Sequence, residues 1–347
     1  MSTMKALRAN LHSQLFFIFL FLAAAYLGWF SFTRVPHLLE TADGNARVVW
    51  ASIDVNGHHQ GDAHLIQSAG ATVLIDAGSE LDFGKLSPFL ERFAIESLDF
   101  AIVTHPHFDH YGGFIKMLES RFPIKKLFID TEGLSFCKDE APWGCRPDDL
   151  TKITHLAKLN GTEIIDRREL LTITLDRATT LDIVANFSYK TGPIENGDIN
   201  DSSLVLALNA HGTKVLFTGD ANRALGVYLT NSHLASRRYD ILKAPHHGTE
   251  GLPDNGFFVA TGARIFVVPS PKELWHSDRS KRLREFTKDH QIKTLVNGEV
   301  GHVLVHFFDN GAFRISNVRE TRSFKEWLKD QLLLRRNPPL KISRQSF

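Results

Sequence analysis

Short apolar strands alternating with helix-patterned segments predict a mixed α/β fold with layered sheets across residues 46–316. Two further observations support that class. Turn signals such as Ala69-Gly70, Asn160-Gly161 and His211-Gly212 punctuate the segments. The composition, 43% hydrophobic and 23% charged over 347 residues, supplies a large core and excludes disordered, collagenous and polytopic membrane classes. No fixed-period repeat or low-complexity tract appears.

In chain order, Val48–Val55, Ala63–Gln67 and Ala71–Ile75 read as consecutive strands. Lys85–Phe93 carries a helical pattern, and Phe100–Val103 is a short, fully buried strand. A helix opens at Gly112 and runs to Ser120, followed by strand Lys126–Ile129 and a helix over Thr151–Leu159 stopped by Asn160-Gly161. After a polar loop from Asn186 to Asp201, strands Ser203–Asn209 and Thr213–Thr218 flank His211-Gly212. Asp240–Lys243, Arg264–Val268, Lys293–Val296 and His302–Phe307 complete the strands, with a helix at Ser280–His290.

The two ends differ from this middle. Leu15 to Phe32 is an uncharged apolar run, and at about 1.5 Å per helical residue its eighteen positions reach roughly 27 Å, near the lower limit for a bilayer. Lys5 and Arg8 precede it without an acid, so residues 1–14 are expected in the cytoplasm. The expectation is a single-pass anchor at 15–32 in the inner or plasma membrane, with the rest on the periplasmic or extracellular side. A cleaved signal peptide ending near Ala23-Ala24-Ala25 is the alternative, disfavoured because apolar residues continue to Phe32. Residues 317–347 form a basic tail in which Phe324, Trp327, Leu328 and Leu332 have amphipathic helical spacing. It suits anionic lipid, nucleic acid or ordinary packing with a solvated basic face. Outside the cytoplasm, Cys137 and Cys145 are expected to close a seven-residue loop, unpaired thiols being the other reading.

His105-Pro106-His107-Phe108-Asp109-His110 follows the strand Phe100–Val103. Three imidazoles and a carboxylate in six residues suit a divalent zinc, manganese or iron ion, and a loop lets alternate residues face two adjacent ions. Other strand ends carry matching groups. Thr218-Gly219-Asp220 offers a carboxylate able to bridge two ions, Pro245-His246-His247-Gly248 offers one or two imidazoles, and Asp76 can orient a ligand from behind.

With these stretches in view, the chain resembles the metallo-β-lactamase fold superfamily and, within it, the ComEC-like branch, the hydrolase domain of the DNA-internalisation competence protein. The matching segments are Ile53-Asp54-Val55 with Gln60-Gly61-Asp62-Ala63, Val73–Gly78, Thr104–Gly113, Asp201–Leu206, Leu216–Asp220 and Leu242–Thr249. They cover about residues 46–310. The resemblance implies a four-layer αβ/βα sandwich whose sheet edges hold two divalent ions, zinc first and manganese as the alternative. His105 and His107 would hold the first ion, Asp109 and His110 the second, with Asp220 bridging. His246 would complete the second site, with His247 as the competing choice. Asp54 and Asp76 would orient ligands. The third histidine usual on the first metal has no match, since that segment reads Asn200-Asp201-Ser202-Ser203. The family's compact Asp-Val-Gly-Gln-Gly-Asp is interrupted by Asn56-Gly57-His58-His59, read as an extended surface turn. Where the branch often carries Gly-His-Pro, this chain has Trp275-His276-Ser277.

The implied activity is phosphodiesterase or nuclease-type hydrolysis by a metal-bound hydroxide, with Asp109 orienting the attacking oxygen and His276 available as acid. Hydrolysis of a carboxylic ester, thioester or lactam is the second reading, and a non-catalytic membrane-tethered binding protein the third. Charge tempers nucleic-acid binding. The net charge is +1, and residues 1–14 (+2) and 314–347 (+6) leave −7 for residues 15–313. A small or cell-envelope phosphoester is therefore also a credible substrate. The sequence identifies no protein partner.

Overall fold

The computed structural model describes residue 38 and residues 46–57, 59–132, 144–146, 148–187, 192–194, 197–319 and 341–342. The expected anchor and nearly all of the basic tail lie outside them. Among the described residues no helix is long and apolar enough to cross a membrane.

The first half runs β1 (Val48–Ser52), β2 (Ala63–Ser68), β3 (Thr72–Ala77), α1 (Phe83–Arg92), β4 (Leu98–Ile102), α2 (Phe108–Glu119), β5 (Ile124–Ile129), α3 (Asp149–Asn160) and β6 (Glu163–Asp166). The second continues with β7 (Ile173–Asp176), β8 (Thr179–Ala185), β9 (Val205–Ala210), β10 (Thr213–Phe217), α4 (Arg223–Ser232), β11 (Ile241–Lys243), α5 (Asn255–Thr261) and β12 (Ile265–Val268). Then come α6 (Lys272–His276), α7 (Lys281–Asp289), β13 (Lys293–Val296), α8 (Asn297–Val300), β14 (His302–Phe307), β15 (Phe313–Val318) and β16 (Lys341–Ile342).

These strands form two mixed sheets, ordered β16-β15-β14-β1-β2-β3-β4-β5-β6 and β13-β12-β11-β10-β9-β8-β7. Alternation along each strand decides the layering, because successive side chains leave opposite faces. Val48 and Trp50 of β1 and Val303 and Val305 of β14 join Leu206, Leu208, Val215 and Phe217 of the other sheet in one core between the sheets. Val49, Ala51 and Leu304 face the other way, onto Leu86 and Phe89 of α1 and Phe114 of α2. Val205 and Ala207 of β9 point outward to Leu225 of α4 and Phe257 of α5. Helices therefore cover both outer faces. Trp50 and Phe217 meet edge-on at 5.0 Å and tie the sheets together.

Several elements escaped the sequence pattern. β6 and β7 are edge strands, β8 lies next to β7, and all three mix polar with apolar residues, so they read as loop. α4 carries Gly226 and the Thr-Asn-Ser run that ends it, which obscured its period. α2 begins at Phe108 rather than Gly112, with His107 at its N-cap, so Asp109 and His110 are helical residues. Cys145 is buried and disulfide-bonded, and Cys137, the chain's other cysteine, lies outside the described residues.

Candidate metal centre

The histidine segment, Asp220 and the His246-His247 turn follow the ends of β4, β10 and β11, and Asp76 is the penultimate residue of β3. β10, β11 and β12 run parallel, as do β3, β4 and β5, so each set delivers its following loops to the same end of its sheet. The side chains converge there. His105, His110, His247, Asp62, Asp76 and Asp220 are all buried.

Asp220 Oδ2 is the centre of the cluster. It lies 3.2 Å from His110 Nε2, 3.1 Å from His247 Nε2 and 3.9 Å from His105 Nε2. Asp109 Oδ2 is 3.5 Å from His247 Nε2, and His105 Nε2 faces His107 Nδ1 at 3.1 Å. The far ring nitrogens are anchored. His110 Nδ1 donates to Asp76 Oδ2 at 2.8 Å, and His247 Nδ1 donates to the Pro269 carbonyl at 3.1 Å. Asp76 also accepts from Thr104 N at 2.8 Å and Thr104 Oγ1 at 2.7 Å. A proton held on Nδ1 leaves the Nε2 lone pair free for a cation.

Charge explains why this cannot be an ordinary polar core. Asp62, Asp76, Asp109 and Asp220 share the site with one lysine, Lys243, buried in an ion pair with Asp62 and 3.6 Å from Asp220 Oδ1. Burial opposes the ionised forms of Asp62, Asp109 and Asp220, yet His247 and His110 hold Asp220 well below the usual carboxylate range. Burial likewise opposes protonation of His110 and His247, but Asp220, with Asp76 for the first and Asp62 for the second, raises both well above the ordinary imidazole value. His105 and His107 are pushed down, first by burial and then by neighbouring imidazoles or, for His107, against the pull of Asp109. Excess buried carboxylate demands cations.

The donor set fits a metal. His107 Nε2, His110 Nε2, His247 Nε2 and Asp220 Oδ1 are buried without a hydrogen-bond partner. Ligand-sized groups form around His105, His110 and Asp220, around Asp109, His110 and His247, and around Asp62, Asp220 and His247. His246 and His247 both adopt left-handed backbone, at φ 45° and 51°, a strain kept where the turn must aim both rings.

Residues 56–254 match the family profile of the Metallo-beta-lactamase superfamily. The chain belongs to the metallo-β-lactamase superfamily. It is a metal-dependent hydrolase of that superfamily, with the buried His/Asp cluster as its metal site. The Endoribonuclease ysh1 of Schizosaccharomyces pombe is 25% identical over 184 residues, 52% of this chain and 23% of that protein. The Endoribonuclease YSH1 of Yarrowia lipolytica is 23% identical over 189 residues, 52% of this chain and 21% of that protein. The match thus spans less than a quarter of these relatives' length. Among solved structures, the metallo-beta-lactamase fold protein YhfI from Bacillus subtilis aligns at 13% identity and a TM-score of 0.44, covering 72% of this chain and 96% of that one.

In this member of the metallo-β-lactamase superfamily, the expected residues divide. His105, His107, Asp109, His110, Asp220 and Asp76 are brought together. His247 joins them, whereas His246, the first choice from sequence, turns Nδ1 to Asn222 Oδ1 at 2.8 Å and stands at the cluster's edge. The reason is the turn: consecutive left-handed residues send the rings apart, 6.2 Å between centroids. His276 is not brought in. Its side chain is 54% exposed and Nε2 pairs with Glu299 at 2.6 Å. Trp275 packs in the outer core. Asp54 accepts from Asn56 N and Nδ2 in a local turn and is outside the cluster. His59 is exposed and edge-on to Phe108, and His58 lies outside the described residues.

Sequence reasoning missed two members, Asp62 and Lys243. Lys243 ends a strand with no exposed position, and its ammonium donates to the Gly219 carbonyl at 2.7 Å as well as pairing with Asp62. A lysine closing the apolar run Ile241-Leu242 was the available signal. The segment replacing the missing third histidine is occupied otherwise: Ser203 Oγ accepts from Asp220 N at 2.9 Å, and Asp201 caps its own turn with Asp198.

Proposed function

We propose that the protein is a di-metal phosphodiesterase of nuclease type, holding zinc, or manganese as the alternative. The placement of Asp220 Oδ2 among three imidazole nitrogens carries the reading. His105 and His107 would hold one ion, Asp109, His110 and His247 the other, with Asp220 shared. Divalent ions held there would supply Lewis-acid activation of water and charge stabilisation at the scissile and leaving oxygens. The chain's own groups set the geometry for this. Asp76 and the Pro269 carbonyl fix two rings, and Lys243 neutralises Asp220 Oδ1 so that Oδ2 is the oxygen facing the imidazoles. Asp109, in the first turn of α2, is favoured as an anion by the helix N-terminus and orients the attacking oxygen. The exposed His276 is left without a role at the reacting atoms.

The relatives' description as endoribonucleases supports a nucleic-acid substrate. The absent third histidine supports the ComEC-like branch. The uncharged run 15–32 behind Lys5 and Arg8 supports a single-pass anchor with the hydrolase domain outside the cytoplasm.

The test is metal analysis of the purified full chain together with hydrolysis of single-stranded RNA, single-stranded DNA, bis(p-nitrophenyl) phosphate and nitrocefin. Metal-dependent cleavage of the phosphodiesters, abolished in the double variant His105→Ala, Asp109→Ala, is expected. Turnover of nitrocefin with no phosphodiester cleavage would replace this reading with acyl hydrolysis.

A further inference from the structure

Beside the metal cluster lies a cavity of about 700 Å³ that the reaction described above does not use. Its walls include Ile194, Asp198, Asn222, Arg223, Val227 and Tyr228, from the segment before β9 and from the start of α4. Asn222 joins cavity and cluster, because its Oδ1 accepts from His246 Nδ1 at 2.8 Å while its Nδ2 donates to Asp198 Oδ2 at 2.7 Å. Its position is enforced from the other side. A Cβ on Gly251, itself at φ +79°, would come within 2.5 Å of Asn222 Oδ1.

The lining has a definite chemistry. Asp198 and Asp201 are committed to local structure: Asp198 Oδ1 accepts from Asp201 N at 3.2 Å, and Asp201 Oδ1 accepts from Leu225 N at 2.8 Å. Arg223 is exposed and makes no ion pair among the described residues. Tyr228 is half-buried, its ring held edge-on by Phe187 at 5.7 Å, and Val227 is 45% exposed one residue before it. An exposed guanidinium with no ion pair among the described residues, a braced aromatic ring and exposed aliphatic surface together suit a ligand that is anionic at one end and flat and apolar at the other. The volume suits a ligand of nucleotide size. Spare lone pairs on Asp198 can accept from sugar hydroxyls.

We propose that this cavity is a nucleoside subsite, in which Tyr228 stacks a base of the substrate and Arg223 holds a phosphate flanking the one cleaved at the metal cluster. The inference rests on the phosphodiesterase reading for its use in catalysis, but binding there is separately measurable. The hydrogen bond from His246 to Asn222 couples occupancy of the subsite to the edge of the cluster.

The experiment uses the full chain and the variants Arg223→Gln and Tyr228→Leu, each checked for a native melting transition. Binding of AMP is titrated by calorimetry. In parallel, kcat/KM is measured for thymidine 5′-(p-nitrophenyl) phosphate and for bis(p-nitrophenyl) phosphate. Stacking on one aromatic side chain has the size to give about tenfold. Each variant is therefore expected to weaken AMP binding about tenfold and to lower the ratio of nucleoside to nitrophenyl diester by a similar factor. Unchanged AMP affinity and an unchanged ratio in both variants overturn the subsite. AMP binding that weakens in the variants, with neither diester cleaved by the wild type, supports the subsite and removes the phosphodiesterase reading. Arg223→Gln, at an exposed position, keeps the test decisive if Tyr228→Leu fails to fold.

Discussion

Asp76 shows how one carboxylate sets a metal ligand without touching the metal. It sits at φ 57°, a conformation that Asp and Asn tolerate best among non-glycine residues, and accepts from two atoms of Thr104 and from His110 Nδ1. Asp76→Asn keeps the backbone but loses the charge that holds the proton on Nδ1. We expect the variant to fold and to lose about 10–100-fold in metal affinity, measured by competition with a chromogenic chelator. Unaltered affinity would detach Asp76 from the site. His302 makes a different residue-scale prediction. Burial, aided by Arg92 and Lys85, depresses it to about 3 from an ordinary 6.5. Below pH 6.5 the unfolded chain therefore binds a proton that the folded chain does not. The associated stability is complete above pH 6.5 and is lost as pH falls toward about 3, at up to ~1.4 kcal/mol per pH unit. His302→Asn retains an acceptor for Asp54 N and should flatten the acid limb of a urea-midpoint profile. The sequence made Asp76 legible because it closes an apolar strand with Ala-Gly after it. His302 was not legible, since nothing local marks a histidine as core.

Helix α2 carries Asp109 and His110, so its seat fixes where they point. Gly112 and Gly113 provide that seat. A Cβ on Gly113 would stand 2.0 Å from the Ala77 carbonyl oxygen, and one on Gly112 would stand 2.7 Å from Glu80 N. Gly113 N also donates to the Gly78 carbonyl at 2.8 Å. The helix thus rests directly on the backbone that follows β3 and Asp76. Gly113→Ala must lift it, and we expect a loss of about 1–3 kcal/mol in urea unfolding with a parallel fall in metal affinity. A destabilised variant that binds metal normally would show that the helix relaxes without moving its first turn. Helix period found α2 but placed its start late, because the first turn is spent on ligands rather than on an apolar face. The edge strand β7 was missed for a related reason. An edge is half solvated, and Ile173–Asp176 alternates apolar and polar residues over only four positions, too short a run for the period to stand out.

At the scale of the molecule, the site exists only where the two sheets meet, and one side chain spans that junction. Arg167 follows β6 and is fully buried. It pairs with Asp130 at 3.2 Å and donates to the Thr104 carbonyl beside His105, on the side of the first sheet. On the other side it donates to the carbonyls of Phe187 at 3.0 Å and Ser202 at 2.6 Å. Sequence reasoning could not have found it, because Asp166-Arg167-Arg168-Glu169 reads as a solvated charged turn, and Arg168 does behave that way, pairing with Asp166 and Glu132 at the surface. Neighbouring arginines differ only in which way the turn faces. Removing Arg167 takes the paired guanidinium from buried Asp130 and a donor from the carbonyls of Thr104, Phe187 and Ser202, so Arg167→Ala should cost about 3–5 kcal/mol. Asp130→Asn added to it should recover part of the loss. Arg167→Lys keeps the charge but not the planar fork that reaches several acceptors at once. We expect it to fold with weakened metal binding, because the Thr104 carbonyl and Ser202 carbonyl, which precede His105 and Ser203, are no longer held in common. Normal metal affinity in Arg167→Lys would mean that the core between the sheets, with Trp50 against Phe217, sets the spacing of the two halves of the site without it.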